Sequence, residues 1–421
     1  MNIKLFIPAL FAILSAAGIH AEGWNIATVG RDGTAFHSTD SGRTWNASKS
    51  GTGEYLFSVV SDHNGNFLAV GGNGTVLRSE NGGINYRVIR SAGTTALEGI
   101  ATDGKQNFVA VGAQGSIVYS EGGKEWNTSL SPIDANFKDV ATDGHGSWVA
   151  VGASGVIIRS TDNGRNWKTS ATIKGAPHIE SITAAGKGIF YAVSANGLMT
   201  SSKDGGVKWN SVQIENRFYA QGIGINSNGE LIVVGWNGKV FHSPDGRSWN
   251  SVNSGTTQRL MDVSDAVQGR MVAVGFRGTI LLSTDNGMTW QNIKSATSKN
   301  LNSSAFNFLP DLSGKLFSDS CKLALEIRNN GTGQISDEIY NRNVLKFLTV
   351  MDGSHKLIDI DLKTADPKKR LQKPGGTLQI PLNALLTGKE RHFTINIDPE
   401  EKIRELSKKN NLQKQSVGCS K

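Results

Sequence analysis

Cysteine is almost absent from this chain: Cys321 and Cys419 are the only two in 421 residues. That scarcity excludes a disulfide-dense scaffold and a cysteine-ligated zinc site. The eight histidines are scattered without metal-ligand spacing, so neither a metal nor a cofactor is expected. Charged residues make up only 19% of the chain, and no nucleophile elbow occurs. After the N-terminus, no apolar run approaches the roughly 20 residues that cross a bilayer, so no membrane span is expected. Net charge is +8, and residues 311–421, with 19 Lys+Arg against 14 Asp+Glu, carry most of it. The remainder is nearly neutral. It lacks the clustered basic face that nucleic-acid binding requires, and no nucleic-acid partner is expected.

The N-terminal apolar run, Leu5 to Ala17, follows Lys4 and leads into small residues ending at Ala21. Its 13 residues are too few for a span, so residues 1–21 read as a cleavable secretory signal. The chain is expected to be exported, to the periplasm or the medium. In an exported chain, exactly two cysteines are expected to pair. A Cys321–Cys419 bridge would close a 98-residue loop, valued by the chain-entropy model at roughly 4–5 kcal/mol.

Glycine, by contrast, is abundant at 50 residues. Many of these glycines sit in a motif of the form Ser-x-Asp-x-Gly-x-x-Trp, repeated seven times. Full copies are STDSGRTW (Asp40, Trp45), STDNGRNW (Asp162, Trp167), SKDGGVKW (Asp204, Trp209) and STDNGMTW (Asp285, Trp290). Weaker copies end at Tyr86, Trp126 and Trp249. The terminal aromatics recur every 40 to 42 residues, which marks a repeat architecture. Each repeat holds four apolar β-rich stretches separated by Gly and Asn turns, the pattern of a β-propeller blade. The first copy begins at a second-strand match, WNIATVG, with no first strand ahead of it. The last is followed by an orphan first strand, Leu301 to Phe308. That strand is expected to complete the first blade and close a ring with no exposed sheet edge. The expected fold is therefore all-β: a seven-bladed propeller over residues 22–310.

The repeated box resembles the Asp-box, or bacterial neuraminidase repeat, of sialidases and many unrelated propellers. That resemblance places it on the hairpin between the third and fourth strands in a structural role. The third and sixth copies are one residue shorter, and the second has Asn81 and Tyr86 for Asp and Trp. These three turns are expected to differ in shape.

Function is then sought on the opposite face, built from the turns between second and third strands and from the blade-to-blade links. Five of its seven turn tips are small or polar. The others carry Trp236-Asn237 and Phe276-Arg277, adjoining Arg31-Asp32 of the first blade. The links add Arg217, Tyr219 and Arg259. Aromatics with arginine are what interaction surfaces are enriched in. A sialidase would need an arginine triad, a Tyr with an acidic partner and an early Arg-Ile-Pro segment; no Arg-Ile-Pro occurs, and Asp32, Glu54 and Asp134 form no selected carboxylate pair.

The full repeat, as in VGASGVIIRSTDNGRNW and VGFRGTILLSTDNGMTW, is most similar to the photosystem II stability/assembly-factor-like propellers. The resemblance covers roughly residues 24–308. It implies a non-catalytic assembly platform that binds protein through an arginine-rich patch, here Arg31, Arg217, Arg259 and Arg277.

From Cys321 the strands lengthen, as a small antiparallel sandwich over 318–421 would require. Asn329-x-Gly331 and DPEEKIRELSKKNN, Asp398 to Asn411, resemble the bacterial cell-adhesion-related, Ig-like domain. The combined expectation is a non-enzymatic, exported scaffold engaging an envelope or secreted protein. The alternatives are a glycan-binding or glycan-hydrolysing propeller, or a surface adhesin.

Overall fold

The structure, a computed structural model, describes residues 24–417 apart from 63–64, 91–94, 265–268, 308–311, 320–321, 330–334, 336–345, 373–374, 386–390 and 400–411. The signal segment, both cysteines and most of the Asp398–Asn411 segment lie outside the described residues.

The chain is all-β, and its repeats fold as four-stranded antiparallel sheets resembling propeller blades. They are numbered here as sheets one to seven in the order of their boxes. The innermost strands of sheets two to seven are Leu56–Ser61, Leu97–Thr102, Phe137–Thr142, Ile179–Gly186, Ala220–Ile225 and Leu260–Val263. Sheet one takes its innermost strand from the other end of the repeat region. Leu301–Phe306 pairs antiparallel with Ile26–Gly30, Ile26 lying opposite Phe306. The orphan strand and the incomplete first copy therefore meet, and the strand ends at Phe306, two residues short of the expected Phe308. The innermost strands follow one another around a closed cycle, Leu301–Phe306 packing between Leu260–Val263 and Leu56–Ser61.

Apolar residues of the second strands fill the interfaces between sheets. Phe67 to Val70, Val109 to Val111, Trp148 to Val151 and Met271 to Val274 are all buried. A strand apolar on both sides suits a sheet covered on both faces, which explains why these stretches do not alternate with polar residues.

Each full box forms the expected staple. In the first copy, the Ser38 hydroxyl accepts from the Gly42 amide at 2.8 Å and donates to Asp40. The Asp40 carboxylate accepts from the Thr44 amide, and the Trp45 indole donates to the Gly42 carbonyl at 3.1 Å. The second copy departs from expectation by keeping this shape. The side-chain oxygen of Asn81 accepts from the Asn85 amide just as the carboxylate does. The shortened third and sixth copies do differ: the indole N–H groups of Trp126 and Trp249 are buried with no partner among the described residues. The missing residue lies between the serine and the glycine: Gly246 bonds Ser243 three residues back, where Gly42 bonds Ser38 four residues back.

Beyond the repeats lie two further antiparallel sheets. One orders Leu312–Asp319, Lys322–Asn329 and Thr377–Leu385; the other orders His355–Asp361, Lys346–Asp352, Arg391–Ile397 and Leu412–Val417. They share one core, including Leu312, Leu325, Phe347, Phe393 and Ile395. Two strands, Leu312–Asp319 and Leu412–Val417, are additions to those read from the sequence. The first starts before residue 318, so the expected boundary cut through it.

Candidate partner-binding face

Five of the turns between second and third strands are single 3-10 turns whose middle residue is left-handed. Asp32, Asn73, Gln114, Asn237 and Arg277 have φ of 53°, 51°, 53°, 56° and 53°. This conformation pushes the first and middle side chains outward, so residue identity at the tip decides what the face presents. At three tips those side chains are Arg31-Asp32, Trp236-Asn237 and Phe276-Arg277.

Four of the nine expected residues come together in one stack. The Tyr219 and Trp236 rings are 5.1 Å apart at 33°, and the Arg259 guanidinium lies 4.7 Å from the Trp236 ring centre. The Phe276 ring centre is 5.0 Å from the same guanidinium. Backbone bonds fix the order: Trp236 N–H donates to the Tyr219 carbonyl at 3.0 Å, and Phe276 N–H to the Arg259 carbonyl at 2.9 Å. Each link residue is thus pinned to the tip of its own sheet. Tyr219 and Trp236 remain 53% and 41% exposed, a large aromatic surface left to solvent.

Arg259 is half-buried. Its Nη2 donates to the Gln221 side-chain oxygen, and its Nε has no partner among the described residues. Burial lowers its pKa from the ordinary guanidinium value, opposed by nearby Glu180 and Tyr55. Even so, a guanidinium stays charged in proteins.

A second group joins sheets seven and one through Asn300. Its side-chain oxygen accepts from the Arg277 amide at 3.2 Å and its carbonyl from the Arg31 amide at 3.0 Å. Asp32 pairs with Arg31 at 3.6 Å and with Lys299 at 3.5 Å, leaving Arg277 exposed. Asn237 is exposed beside Trp236. Arg217 is also exposed, at φ 61°, and no contact joins it to the stack. Of the carboxylates weighed for catalysis, Glu54 accepts from Asn73 at 3.0 Å and Asp134 is exposed. Among the described residues, no group of three His, Cys, Asp or Glu could hold a metal ion.

Sequence reasoning missed Gln221, Glu180 and Asn300. Their signal was faint. Each occupies a strand or link position whose neighbours come from another sheet.

Four-stranded antiparallel sheets with Asp-box turns define the class of propeller-like proteins built from bacterial neuraminidase repeats. Within it, residues 93–274, less than half of the chain, match the family described as the photosynthesis system II assembly factor YCF48. A solved structure described as YCF48 bound to a D1 peptide is 18% identical, over 72% of this chain and 91% of that one, with a TM-score of 0.50. A streptogramin B lyase structure is 13% identical over 64% of this chain and 89% of that one, with a TM-score of 0.53. At such identities the likeness is one of fold. No curated protein matches the chain.

Proposed function

We propose that this chain is an exported, non-catalytic binding scaffold: a closed seven-bladed propeller over residues 22–310, followed by an Ig-like sandwich. It engages a protein of the bacterial envelope through the face opposite the Asp-box turns. The observation that carries this reading is the exposed Tyr219–Trp236–Arg259–Phe276 stack, with Arg277 and Arg31 beside it. Rigid aromatics bring large contact area at low entropic cost, and arginines add directional bonds to carbonyls and carboxylates. The fold neighbour whose description names a bound D1 peptide lends support, because that propeller presents a protein-binding surface. The C-terminal sandwich acts as a spacer.

The test is capture of partners from envelope fractions by the wild-type chain and by Trp236→Ala and Arg277→Ala, read by mass spectrometry. The reading expects specific partners lost in both variants, with the melting temperature unchanged in Arg277→Ala; unchanged capture would place the site elsewhere. Exposed stacked rings also suit sugar faces, which keeps a glycan-binding or glycan-cleaving reading as the alternative. A glycan array with a hydrolysis readout separates the two. Cell fractionation decides between periplasm and surface, and a periplasmic-only protein cannot be an adhesin.

A further inference from the structure

The innermost strands surround a cavity of about 370 Å³. Its lining is apolar or hydroxylated apart from two carboxylates, Asp139 and Asp262. They occupy the same register position in sheets four and seven, the residue just after the irregularity in each innermost strand. At that position the other sheets have Ser58, Gly99, Ser181, Gly222 and Ser303.

The arrangement is duplicated around the ring. Asp139 Oδ2 accepts from the Ser181 hydroxyl and the Ile182 amide of sheet five, both at 3.0 Å, while Oδ1 accepts from the Val140 amide at 2.8 Å. Asp262 Oδ2 accepts from the Ser304 amide of sheet one at 3.0 Å, with the Ser303 side chain as a further donor. On the other side each aspartate presses on glycine. A Cβ on Gly99 would lie 2.6 Å from Cα of Asp139, and one on Gly222 would lie 2.8 Å from Cα of Asp262. Gly99–Asp139–Ser181 and Gly222–Asp262–Ser303 are thus two copies of one junction.

Among the described residues, no cation lines the cavity to balance the pair. Around Asp139, the neighbouring strands bring Glu98 and Glu180, and its own strand brings Lys138, which is paired to Glu98 at 2.6 Å. The strands Asn107–Gly112 and Trp148–Gly152 bring no charge. Around Asp262, the strands Ala220–Ile225, Leu231–Gly235, Met271–Gly275 and Leu301–Phe306 bring none either.

We propose that Asp139 and Asp262 form a proton-operated latch: with a proton held on the pair, two junctions of the ring stay closed, and with both groups ionised they loosen. Two uncompensated carboxylates in one protein-walled cavity repel, and each resists ionisation in the absence of a countercharge. Desolvation first, and repulsion from Asp262, push the Asp139 carboxyl up to about 7, against the pull of its amide donors. Desolvation likewise raises Asp262. The folded chain then holds a proton that the unfolded chain has released. This contribution is complete below the ordinary value of 3.8 and is lost as pH rises through about 7.

The experiment is thermal melting of the full chain across about pH 5 to about pH 8, compared with Asp139→Asn, Asp139→Ser and Asp262→Asn. Serine already serves at this position in three sheets. The wild type should lose roughly 2–4 °C relative to the variants over that range. Parallel profiles in all variants would overturn the proposal. Should the variants fail to fold, infrared spectra of the wild type decide. A protonated-carboxyl C=O band should persist near pH 6 and vanish at higher pH; its absence would overturn the latch.

Discussion

The guanidinium of Arg259 is held between two rings, 4.7 Å from the centre of Trp236 and 5.0 Å from that of Phe276. These rings come from turn tips of adjacent sheets, so Arg259 ties the tip of sheet six to that of sheet seven. Arg259→Ala should therefore cost about 1–2 kcal/mol of stability, the range for a partly desolvated cation–π contact. It should also weaken partner capture. Unchanged melting in a differential scan would show that the sandwich contributes nothing to the fold.

Arg277 offers the cleaner separation of binding from stability. Its left-handed φ of 53° is uncommon for arginine but readily adopted by asparagine. Arg277→Asn should keep or slightly raise the melting temperature while partner capture falls. A drop in stability would mean that the side chain holds the turn.

The box tryptophans are expected to separate into two groups. The Trp167 indole donates to the Gly164 carbonyl at 2.9 Å, whereas that of Trp126 has no partner among the described residues. Trp167→Phe should cost about 1–3 kcal/mol, because a buried carbonyl loses its donor. Trp126→Phe loses packing alone and should cost clearly less. Chemical denaturation of both variants measures the difference directly.

Acid should attack the boxes. In Asp204, the bond from the Lys208 amide, with help from Ser202 and Val207, holds the carboxyl below its ordinary 3.8. A depressed carboxyl stabilises the fold above the unfolded value and stops doing so as pH falls through the folded one. The relevant window therefore lies below about pH 4. Asn81 shows that asparagine keeps the turn. Asp204→Asn should match the wild type near neutrality and lose less stability than it in acid.

Cys321 and Cys419 lie outside the described residues, and their pairing is a prediction in its own right. The chain purified without reductant should be lighter than its reduced form by two hydrogens in intact-mass measurement. Reaction of both thiols with a blocking agent before reduction would refute the bridge.

The period of the boxes, the incomplete first copy and the orphan strand at Leu301 made the repeat architecture and its closure legible from residue order alone. That succeeds because each repeat writes its own strands and turns through local rules: glycine for left-handed turns, alternating or continuous apolar stretches, and short polar side chains at tips. The same order pointed to Trp236, Phe276, Arg259 and Arg277, because residues breaking a repeat stand out against it. Which of them touch was another matter. Arg259, one residue before Leu260–Val263, stacks, and Arg217, three residues before Ala220–Ile225, does not. Asp139 and Asp262 looked like ordinary strand residues about 120 positions apart. Only the closed ring sets them in one cavity whose described lining holds no countercharge, since burial and neighbouring charge belong to the assembled strands and to no single repeat.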